Sequence, residues 1–357
     1  MKHVYVIAEA GVNHNGNVER ALEMVRCAKS SGADAVKFQT FRAETLLTKT
    51  TPKASYQMKQ TRGSSQWNMI KRLELTDRSH QALFRECTKQ KIEFLSTPFD
   101  EASADFLYEL GVKRFKISSG EITNAPFLLH VARKKLPIIL STGMSTLQEI
   151  KKALSVLAFG FLSSAKEDPS ERKFKSYYDS REGKGLLKEK VTLLQCTTEY
   201  PAPYHAINLR AMMTLQKIFS LSTGLSDHSL GGAVPIAAAA LGTTIIEKHF
   251  TLDRRLSGPD HFASLEPNEL KQMIDGIRAV EYALGDGQKK PSLCETKNIS
   301  AIRKSIVASS SIKKGDLFSS SNLAIKRPGL GLSPYKYWEL LGRPSLKNFC
   351  KDDLVTL

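Results

Sequence analysis

Two histidines, each at the end of a predicted strand, are the residues of this sequence that point most directly to metal chemistry. His228 follows the run STGLSD, and His249 follows the β-branched run TIIEK. Imidazole binds divalent metals, although a histidine satisfied by backbone hydrogen bonds is the ordinary alternative for either one. Carboxylates at Glu9, Glu247 and Asp260 favour the metal. Two imidazoles with open positions suit Mn²⁺ or Mg²⁺ better than structural zinc.

Lysines and hydroxyl side chains stand at other predicted strand ends, and this combination suits an anion. Lys37 and Lys116 supply positive charge, while Ser and Thr hydroxyls donate hydrogen bonds to phosphate oxygens. Each lysine has an alternative role in an ion pair with a carboxylate such as Glu9, and Lys116 has another in Schiff-base chemistry. The polar residues at the strand ends include Glu9, Lys37, Gln39, Thr97, Lys116, Ser119, Glu121, Ser141, Thr198, Tyr200, Ser226, His228, Glu247 and His249.

These side chains need a scaffold that brings many strand ends together. Short apolar runs alternate with helical periods over residues 1–284. Eight strand–helix units in series predict an α/β fold, a closed parallel TIM (β/α)8 barrel. Because the carboxyl ends of the strands meet at one end of such a barrel, we expect the histidines, lysines and hydroxyls to face one cavity.

Three other segments differ from the strand–helix pattern. Residues 43–77 form a long insertion, which in a compact domain is usually functional or disordered. Residues 163–185 are highly charged with few aliphatic side chains, which predicts a solvated excursion without a catalytic role. Residues 285–300 resemble a linker, and short strands with turns predict a small β-rich domain over residues 301–357.

The composition limits the partners and the compartment. The chain of 357 residues carries a net charge of +16, but its lysines and arginines are scattered, so a small anionic substrate explains them as well as nucleic acid does. We find no RNA-binding signature and no run of about 18 apolar residues for a membrane span. These two absences predict a protein that binds neither nucleic acid nor membrane. Five cysteines without a paired spacing, and no secretory signal, predict a cytoplasmic protein.

Nine stretches of the sequence resemble motifs of the nonulosonic acid synthases, the family of sialic acid synthase and its legionaminic acid relatives. They are IAEAGVNHNG, ADAVKFQTF, FLSTPFD, FKISSGEITNAPFL, ILSTGMST, CTTEYPAP, GLSDHS, IIEKHFTLDR and GPDHFASLEP. The tail over residues 303–334 is similar to the antifreeze-like domain of the same family. The resemblance implies a TIM barrel followed by this domain, in a transferase that joins phosphoenolpyruvate to an N-acetylmannosamine-type sugar and releases phosphate.

The resemblance also implies roles for individual residues. His228 and His249 would bind the metal, and Glu9, Glu121 and Glu247 would be the catalytic carboxylates, with Glu9 the first candidate for the base. The family's domain-swapped homodimer would bring Arg327 into the partner's active site. Substrate contacts would come from Lys37, Gln39, Thr97, Lys116, Ser119, Ser141, Thr198, Tyr200, Ser226, Asp260 and Arg327.

Two positions depart from the sialic acid synthase pattern and leave the sugar open. Thr198 stands where an Asn is common, and Gln195 stands where a His is frequent, so CTTEYPAP is more similar to the legionaminic branch. The product is therefore N-acetylneuraminate or a close analogue, and the alternative is legionaminic acid made from 2,4-diacetamido-2,4,6-trideoxymannose. A competing interpretation of the barrel is a metal-dependent aldolase that uses pyruvate.

Overall fold

Strands and helices alternate along the greater part of the chain, as the hydrophobic pattern predicts. The structure, a computed structural model, describes residues 3–61, 65–164 and 166–357. The chain divides into two units, Met1–Gly285 and Asp286–Leu357.

The strands of the first unit form one parallel sheet, eight-stranded in the described residues. Its hydrogen-bonded order runs from the third strand through the first and eighth to the fourth, and the third and fourth strands also lie against each other. The sheet therefore curves into a barrel, which confirms the predicted TIM-type fold. The strands are β1 Tyr5–Gly11, β2 Ala35–Thr40, β3 Glu93–Pro98, β4 Phe115–Ile117, β5 Ile138–Ser141, β6 Val191–Cys196, β7 Ser222–Asp227 and β8 Ile245–His249.

Helices connect these strands, and their termini carry local start signals. The first one shows the pattern: Asn17 caps it by accepting a hydrogen bond from the Arg20 N–H, and an apolar face repeats at helical spacing. Among the described helices, none is both long and apolar enough to cross a bilayer. The helices of the first unit are α1 Val18–Ser30, α2 Ala43–Leu46, α3 Ser55–Gln60, α4 Gln66–Lys71, α5 Asp77–Gln90, α6 Glu101–Leu110, α7 Ala125–Arg133, α8 Leu147–Leu162, α9 Glu171–Asp179, α10 Arg181–Lys190, α11 Tyr204–Ile207, α12 Arg210–Phe219, α13 Ala233–Ala240 and α14 Pro267–Ala283.

The barrel interior contains a small apolar core of its own, separate from the large core between sheet and helices. Buried side chains from six strands meet there, so the amino-terminal part of the barrel is filled rather than open. They are Ile7, Ala35, Leu95, Ile139, Leu194 and Ile245.

The two interrupting segments of the first unit contain helices. The insertion over residues 43–77 holds α2, α3 and α4. The segment over residues 163–185 holds α9 and the start of α10, and it is not simply a solvated excursion. The rings of Phe174 and Tyr177 pack edge-on against Phe159, so aromatic contacts hold this segment against the barrel helices. The prediction of a solvated segment was based on its few aliphatic residues and did not take these aromatic rings into account.

The second unit is small, with its own apolar core. It contains α15 Leu293–Ile302, β9 Ser305–Ala308, β10 Leu323–Lys326 and α16 Tyr337–Leu340, and the two strands pair antiparallel. Helix α15 begins inside the predicted linker, where the Ser292 N–H donates to Glu295 at 2.8 Å and starts the helix. The core residues are Ile306, Ala308, Ile312, Phe318, Leu323, Leu340, Phe349 and Val355.

Candidate active site

The carboxyl ends of the barrel strands surround a cavity of about 380 Å³. Arg327 belongs to the second unit, where it is exposed directly after β10. All other predicted site residues line the cavity: Glu9, Lys37, Gln39, Thr97, Lys116, Ser119, Glu121, Ser141, Thr198, Tyr200, Ser226, His228, Glu247, His249 and Asp260.

The strand pleat explains why these side chains converge. Residues two apart on a strand face the same side. A residue two places after a member of the interior apolar core therefore also faces inward, one layer nearer the carboxyl end. This rule places Glu9, Lys37, Thr97, Ser141 and Glu247 above Ile7, Ala35, Leu95, Ile139 and Ile245.

Four charged side chains and one hydroxyl form what we call the charged floor: Glu9, Lys37, Lys116, Ser226 and Glu247. The Lys37 Nζ lies 2.7 Å from Glu9 Oε2 and 3.8 Å from Glu247 Oε2. The Lys116 Nζ lies 3.4 Å from Glu247 Oε1, which also accepts a hydrogen bond from Ser226 at 2.8 Å. All five residues are buried, so their charges act in a medium where water screens them little. Both lysines thus have carboxylate neighbours, and both still face the cavity.

The two carboxyl groups of the charged floor have opposite proton affinities. Burial raises the pKa of Glu9 to about 7, against the opposing effect of Lys37. Burial would also raise the pKa of Glu247, but the ammonium groups of Lys116 and Lys37 prevail and lower it to about 2. Glu247 is therefore a fixed anion that holds two lysines, whereas Glu9 is able to exchange a proton near neutral pH.

Hydroxyl groups lie beside the charged floor. The Ser119 Oγ accepts a hydrogen bond from the Gly143 N–H at 2.9 Å, and the Lys37 Nζ donates to Thr97 Oγ1 at 3.0 Å. Within the described part of the chain, the buried hydroxyls of Ser141 and Thr198 have no hydrogen-bond partner. Because a buried polar group without a partner is costly, these hydroxyls are suited to a ligand that accepts their hydrogen bonds.

His228 and His249 lie side by side in the cavity, with ring centroids 5.4 Å apart. The ring of Tyr200 is 4.0 Å from that of His228 and 5.5 Å from that of His249. The Nδ1 of His228 lies 2.7 Å from the Thr197 carbonyl, to which it donates, so its Nε2 is the nitrogen left with a lone pair. Burial, followed by the charge of His228, keeps the pKa of His249 well below its usual value, which leaves this imidazole neutral.

These histidines fit a divalent metal with few protein ligands. The buried Nδ1 of His249 has no hydrogen-bond partner among the described residues, and it lies 4.0 Å from Asp260 Oδ2. No cluster of three or more His, Cys, Asp or Glu side chains around one point occurs in the described ranges. Two imidazoles with a carboxylate nearby suit an ion whose other positions are filled by water and substrate, in contrast to a closed structural zinc site.

A buried ion pair supports both histidines from outside the cavity. Asp227 and Lys248 are register partners on β7 and β8, and they directly precede His228 and His249. The Lys248 Nζ lies 2.6 Å from Asp227 Oδ2 and also donates to the Ser229 carbonyl, and neither charged side chain is exposed. Asp227 and Lys248 are not among the predicted site residues, because their pairing depends on the register of two strands and the residues are 21 positions apart.

The outer part of the cavity is apolar, and this side was not predicted residue by residue. Five side chains form what we call the apolar wall: Phe41, Leu46, Leu47, Ile70 and Phe99. Three of them belong to the insertion, which the sequence analysis marked only by its length. The amides of Gln57 and Gln66, from the same insertion, also line the cavity.

The fold and the cavity define a (β/α)8-barrel enzyme, and comparison with known proteins identifies its family. The model of the NeuB family matches residues 24–289, and that of the SAF domain, the antifreeze-like domain, matches residues 303–357. The chain belongs to the NeuB family, a family of nonulosonic acid synthases, as the motifs predicted.

Full-length relatives support this membership. The chain is 48% identical to the N,N'-diacetyllegionaminic acid synthase of Campylobacter jejuni, over 99% of both chains. It is 46% identical to the enzyme of the same name from Legionella pneumophila, over 95% of this chain and 89% of that one. A crystal structure of the N-acetylneuraminic acid synthetase of Leptospira borgpetersenii matches with a TM-score of 0.67 and 32% identity, covering 83% of this chain and 90% of that one.

Proposed function

We propose that the protein condenses phosphoenolpyruvate with an N-acetylmannosamine-type sugar, giving N-acetylneuraminate or a close analogue and phosphate. The observation that carries this proposal is the charged floor, with its two lysines, beside the unpartnered hydroxyls of Ser141 and Thr198. Ammonium and hydroxyl groups around a small cavity suit a compact substrate that carries both a phosphate and a carboxylate.

The side chains of the cavity have separate tasks in this reaction. C3 of phosphoenolpyruvate attacks the aldehyde carbon of the open-chain sugar, and water adds to the positive charge that develops at C2. Glu9, with its pKa near 7, accepts the proton from that water. The tetrahedral intermediate then breaks its C–O bond to release phosphate. The residues that hold the phosphate and carboxylate in place are Lys37, Thr97, Lys116, Ser119, Ser141 and Ser226.

The sugar lies above phosphoenolpyruvate in this proposal. Its hydroxyl and amide groups contact Gln39, Glu121, Thr198, Tyr200 and Asp260, which line the same cavity. A divalent ion, Mn²⁺ or Mg²⁺, held by His228 and His249 would supply Lewis-acid polarisation of the sugar carbonyl.

A second candidate acceptor is 2,4-diacetamido-2,4,6-trideoxymannose, which would make the protein a legionaminic acid synthase. The relatives that are 48% and 46% identical carry this activity in their names. Thr198, the residue that departs from the sialic acid synthase pattern, lines the cavity.

A phosphate-release assay tests the proposed reaction. The purified protein is incubated with phosphoenolpyruvate, Mn²⁺ and either N-acetylmannosamine or the diacetamido sugar, and we expect phosphate to appear only when a sugar is present. Pyruvate in place of phosphoenolpyruvate is the control for an aldolase. Condensation with pyruvate, or no phosphate with any sugar, would contradict the proposal.

We also propose a domain-swapped homodimer in which Arg327 of one copy reaches the cavity of the other. An exposed guanidinium is available to hold a sugar carbonyl or hydroxyl. Arg327→Ala should leave folding intact and raise the KM for the sugar, measured by the phosphate assay. Arg343→Ala, at an exposed arginine of the same unit, is the matched control. A sugar KM unchanged by Arg327→Ala would count against this role.

A further inference from the structure

The Asp227–Lys248 ion pair lies on the face of the sheet that is turned away from the cavity. Side chains alternate between the two faces of a strand, and Glu247 and His249 line the cavity, so Lys248 points toward the layer of helices. Asp227 precedes the cavity-lining His228 and lies on the same outer face. The ion pair is therefore separated from any substrate in the cavity, and its effect on the site has to pass through the residues beside it.

Ser229 extends the ion pair into a closed ring of contacts. The Asp227 Oδ1 accepts a hydrogen bond from the Ser229 N–H at 3.1 Å, and the Asp227 Oδ2 accepts one from the Ser229 hydroxyl at 2.9 Å. The Lys248 Nζ donates to the same Asp227 Oδ2 and to the Ser229 carbonyl. We call these three buried residues the β7–β8 clamp. One ammonium group thus holds the residues on both sides of His228.

The β7–β8 clamp acts beyond the end of the strand pairing. The paired register of the two strands runs to Asp227 and Lys248, one residue before the two histidines. A hydrogen bond to the Thr197 carbonyl holds the ring of His228, whereas the clamp holds its main chain. His249 directly follows Lys248, so a displacement of one histidine relative to the other has to displace a buried ammonium group. The clamp therefore couples the positions of the two rings.

Stability alone is a weak reason for a buried ion pair at this position. Both charges are costly to remove from water, so replacing such a pair by apolar side chains of similar size is often neutral or stabilising. Groups that orient metal ligands from outside the coordination sphere, in contrast, contribute strongly to metal affinity. A charged contact between the residues next to two candidate metal ligands is therefore better explained by the geometry that it imposes on them.

We propose that the β7–β8 clamp is a positioning device that determines how tightly the two imidazoles bind a divalent ion. This inference rests on the proposed function, in which His228 and His249 hold Mn²⁺ or Mg²⁺. Two ring nitrogens have to reach one ion together, and a site of this kind tolerates displacements of only about 0.5 Å. The residues of the clamp do not touch the ion, and they act through the main chain of the histidines.

The double variant Asp227→Leu/Lys248→Met tests the proposal, because it removes both charges together and should still fold. Mn²⁺ alone is the probe, and the electron paramagnetic resonance signal of the unbound ion gives the dissociation constant without substrate or turnover. We expect the double variant to bind Mn²⁺ about 10–100-fold more weakly than the wild type. Urea denaturation of the same preparations should show that the free energy of unfolding is close to that of the wild type.

Ser229→Ala is a milder variant that removes one hydrogen bond of the clamp and keeps the ion pair. Its dissociation constant for Mn²⁺ should rise about two- to fivefold, in proportion to the loss of a single hydrogen bond. His249→Ala removes a metal ligand itself, and it gives the affinity of a broken site for comparison.

The double variant Glu93→Gln/Arg114→Met is the matched control. These residues also form an ion pair between neighbouring strands, with the Arg114 Nε 2.9 Å from Glu93 Oε1, but they lie at the start of β3 and directly before β4. Their ion pair is thus at the opposite end of the barrel from the histidines. The control variant should bind Mn²⁺ as tightly as the wild type.

The outcomes separate the inference from the proposed function. Wild-type Mn²⁺ affinity in the folded Asp227→Leu/Lys248→Met protein, or in Ser229→Ala if the double variant does not fold, would overturn the inference and leave the proposed function intact. An equal loss of affinity in the control variant would do the same. Wild-type protein that binds Mn²⁺ no better than His249→Ala would overturn the metal site of the proposed function and, with it, the inference.

Discussion

At the scale of single residues, two carboxylates of one cavity acquire different chemistry from their surroundings. Glu9 and Glu247 both approach Lys37, but Glu247 also has Lys116 and the Ser226 hydroxyl as neighbours. Paired groups whose environments separate their pKa values divide acid–base roles between them. Both carboxylates are predicted to be catalytic, and their environments favour Glu9 as the proton acceptor and Glu247 as the anchor of the lysines.

Glu9→Gln should lower kcat by about 10²–10⁴-fold, because an amide cannot accept the proton from water. The KM for phosphoenolpyruvate should not rise, because a neutral amide leaves the two lysines with a surplus of positive charge. In the wild type, Glu9 loses its proton as the pH rises through about 7, so kcat/KM should rise over the same range. Steady-state phosphate release over a pH series measures both effects, and the variant should lack this acidic limb.

Glu109→Gln, at an exposed carboxylate of α6, is the control for the charge change itself. It should match the wild type at every pH. A Glu9→Gln variant that retains wild-type kcat, or that keeps the acidic limb, would assign proton transfer to another group.

At the scale of elements, a buried ion pair joins β7 and β8 in addition to the hydrogen bonds between the two strands. Asp227 and Lys248 are neither exposed nor part of the cavity lining. Removing charges from water is costly, and a buried pair repays that cost only with good geometry and further hydrogen bonds, which Ser229 supplies here. The pair thus fixes the two strands immediately before His228 and His249.

Lys248→Met should lower the free energy of unfolding by about 3–5 kcal/mol, because it leaves the Asp227 carboxylate buried without its cation. Urea denaturation followed by circular dichroism measures the change. The double variant Asp227→Leu/Lys248→Met should recover most of the loss, since both charges are then absent. A single variant as stable as the wild type would show that the ion pair contributes nothing.

The barrel and its inward-facing residues were predictable from the sequence. All strands of a parallel barrel end at the same mouth, so residues at the strand ends can be expected to meet there. Their positions at strand ends were sufficient to predict that four residues face the cavity: Lys37, Lys116, His228 and His249. The Asp227–Lys248 pair needed the strand register, which no local pattern contains. Leu46 and Ile70 of the apolar wall were not predicted either, because short helices of four and six residues carry too few positions to show which side faces a cavity.

At the scale of the whole molecule, stability depends on histidines that the barrel keeps uncharged. Burial lowers the pKa of His14 to about 3 and that of His261 to about 4. The His14 Nδ1 accepts a hydrogen bond from the Gly16 N–H, and His261 bonds to the Thr251 hydroxyl, so both are satisfied as neutral rings. Folding therefore competes with protonation at both positions.

The protein should lose stability as the pH falls from 6.5, the ordinary histidine pKa, toward 4. In this window the unfolded chain binds protons at His14 and His261 that the folded chain does not. The expected slope is about 1.4 kcal/mol per pH unit for each group. Urea denaturation at several pH values measures the slope, and His14→Gln should reduce it.

His205→Gln, at an exposed histidine, is the control and should leave the slope unchanged. A pH slope that is the same in His14→Gln as in the wild type would show that the His14 ring titrates alike in the folded and unfolded chain.

The charged floor contains two ammonium groups and two carboxyl groups, and this has a consequence for how a multivalent anion enters. With all four groups ionised the floor is electroneutral, so the lysines offer the anion no surplus of positive charge. Counter-charge must arrive with the substrate, either as a proton taken up by Glu9 or as a dication at the neighbouring imidazoles. The affinity of the protein for the anion is therefore expected to rise as the pH falls and as the concentration of divalent ions increases.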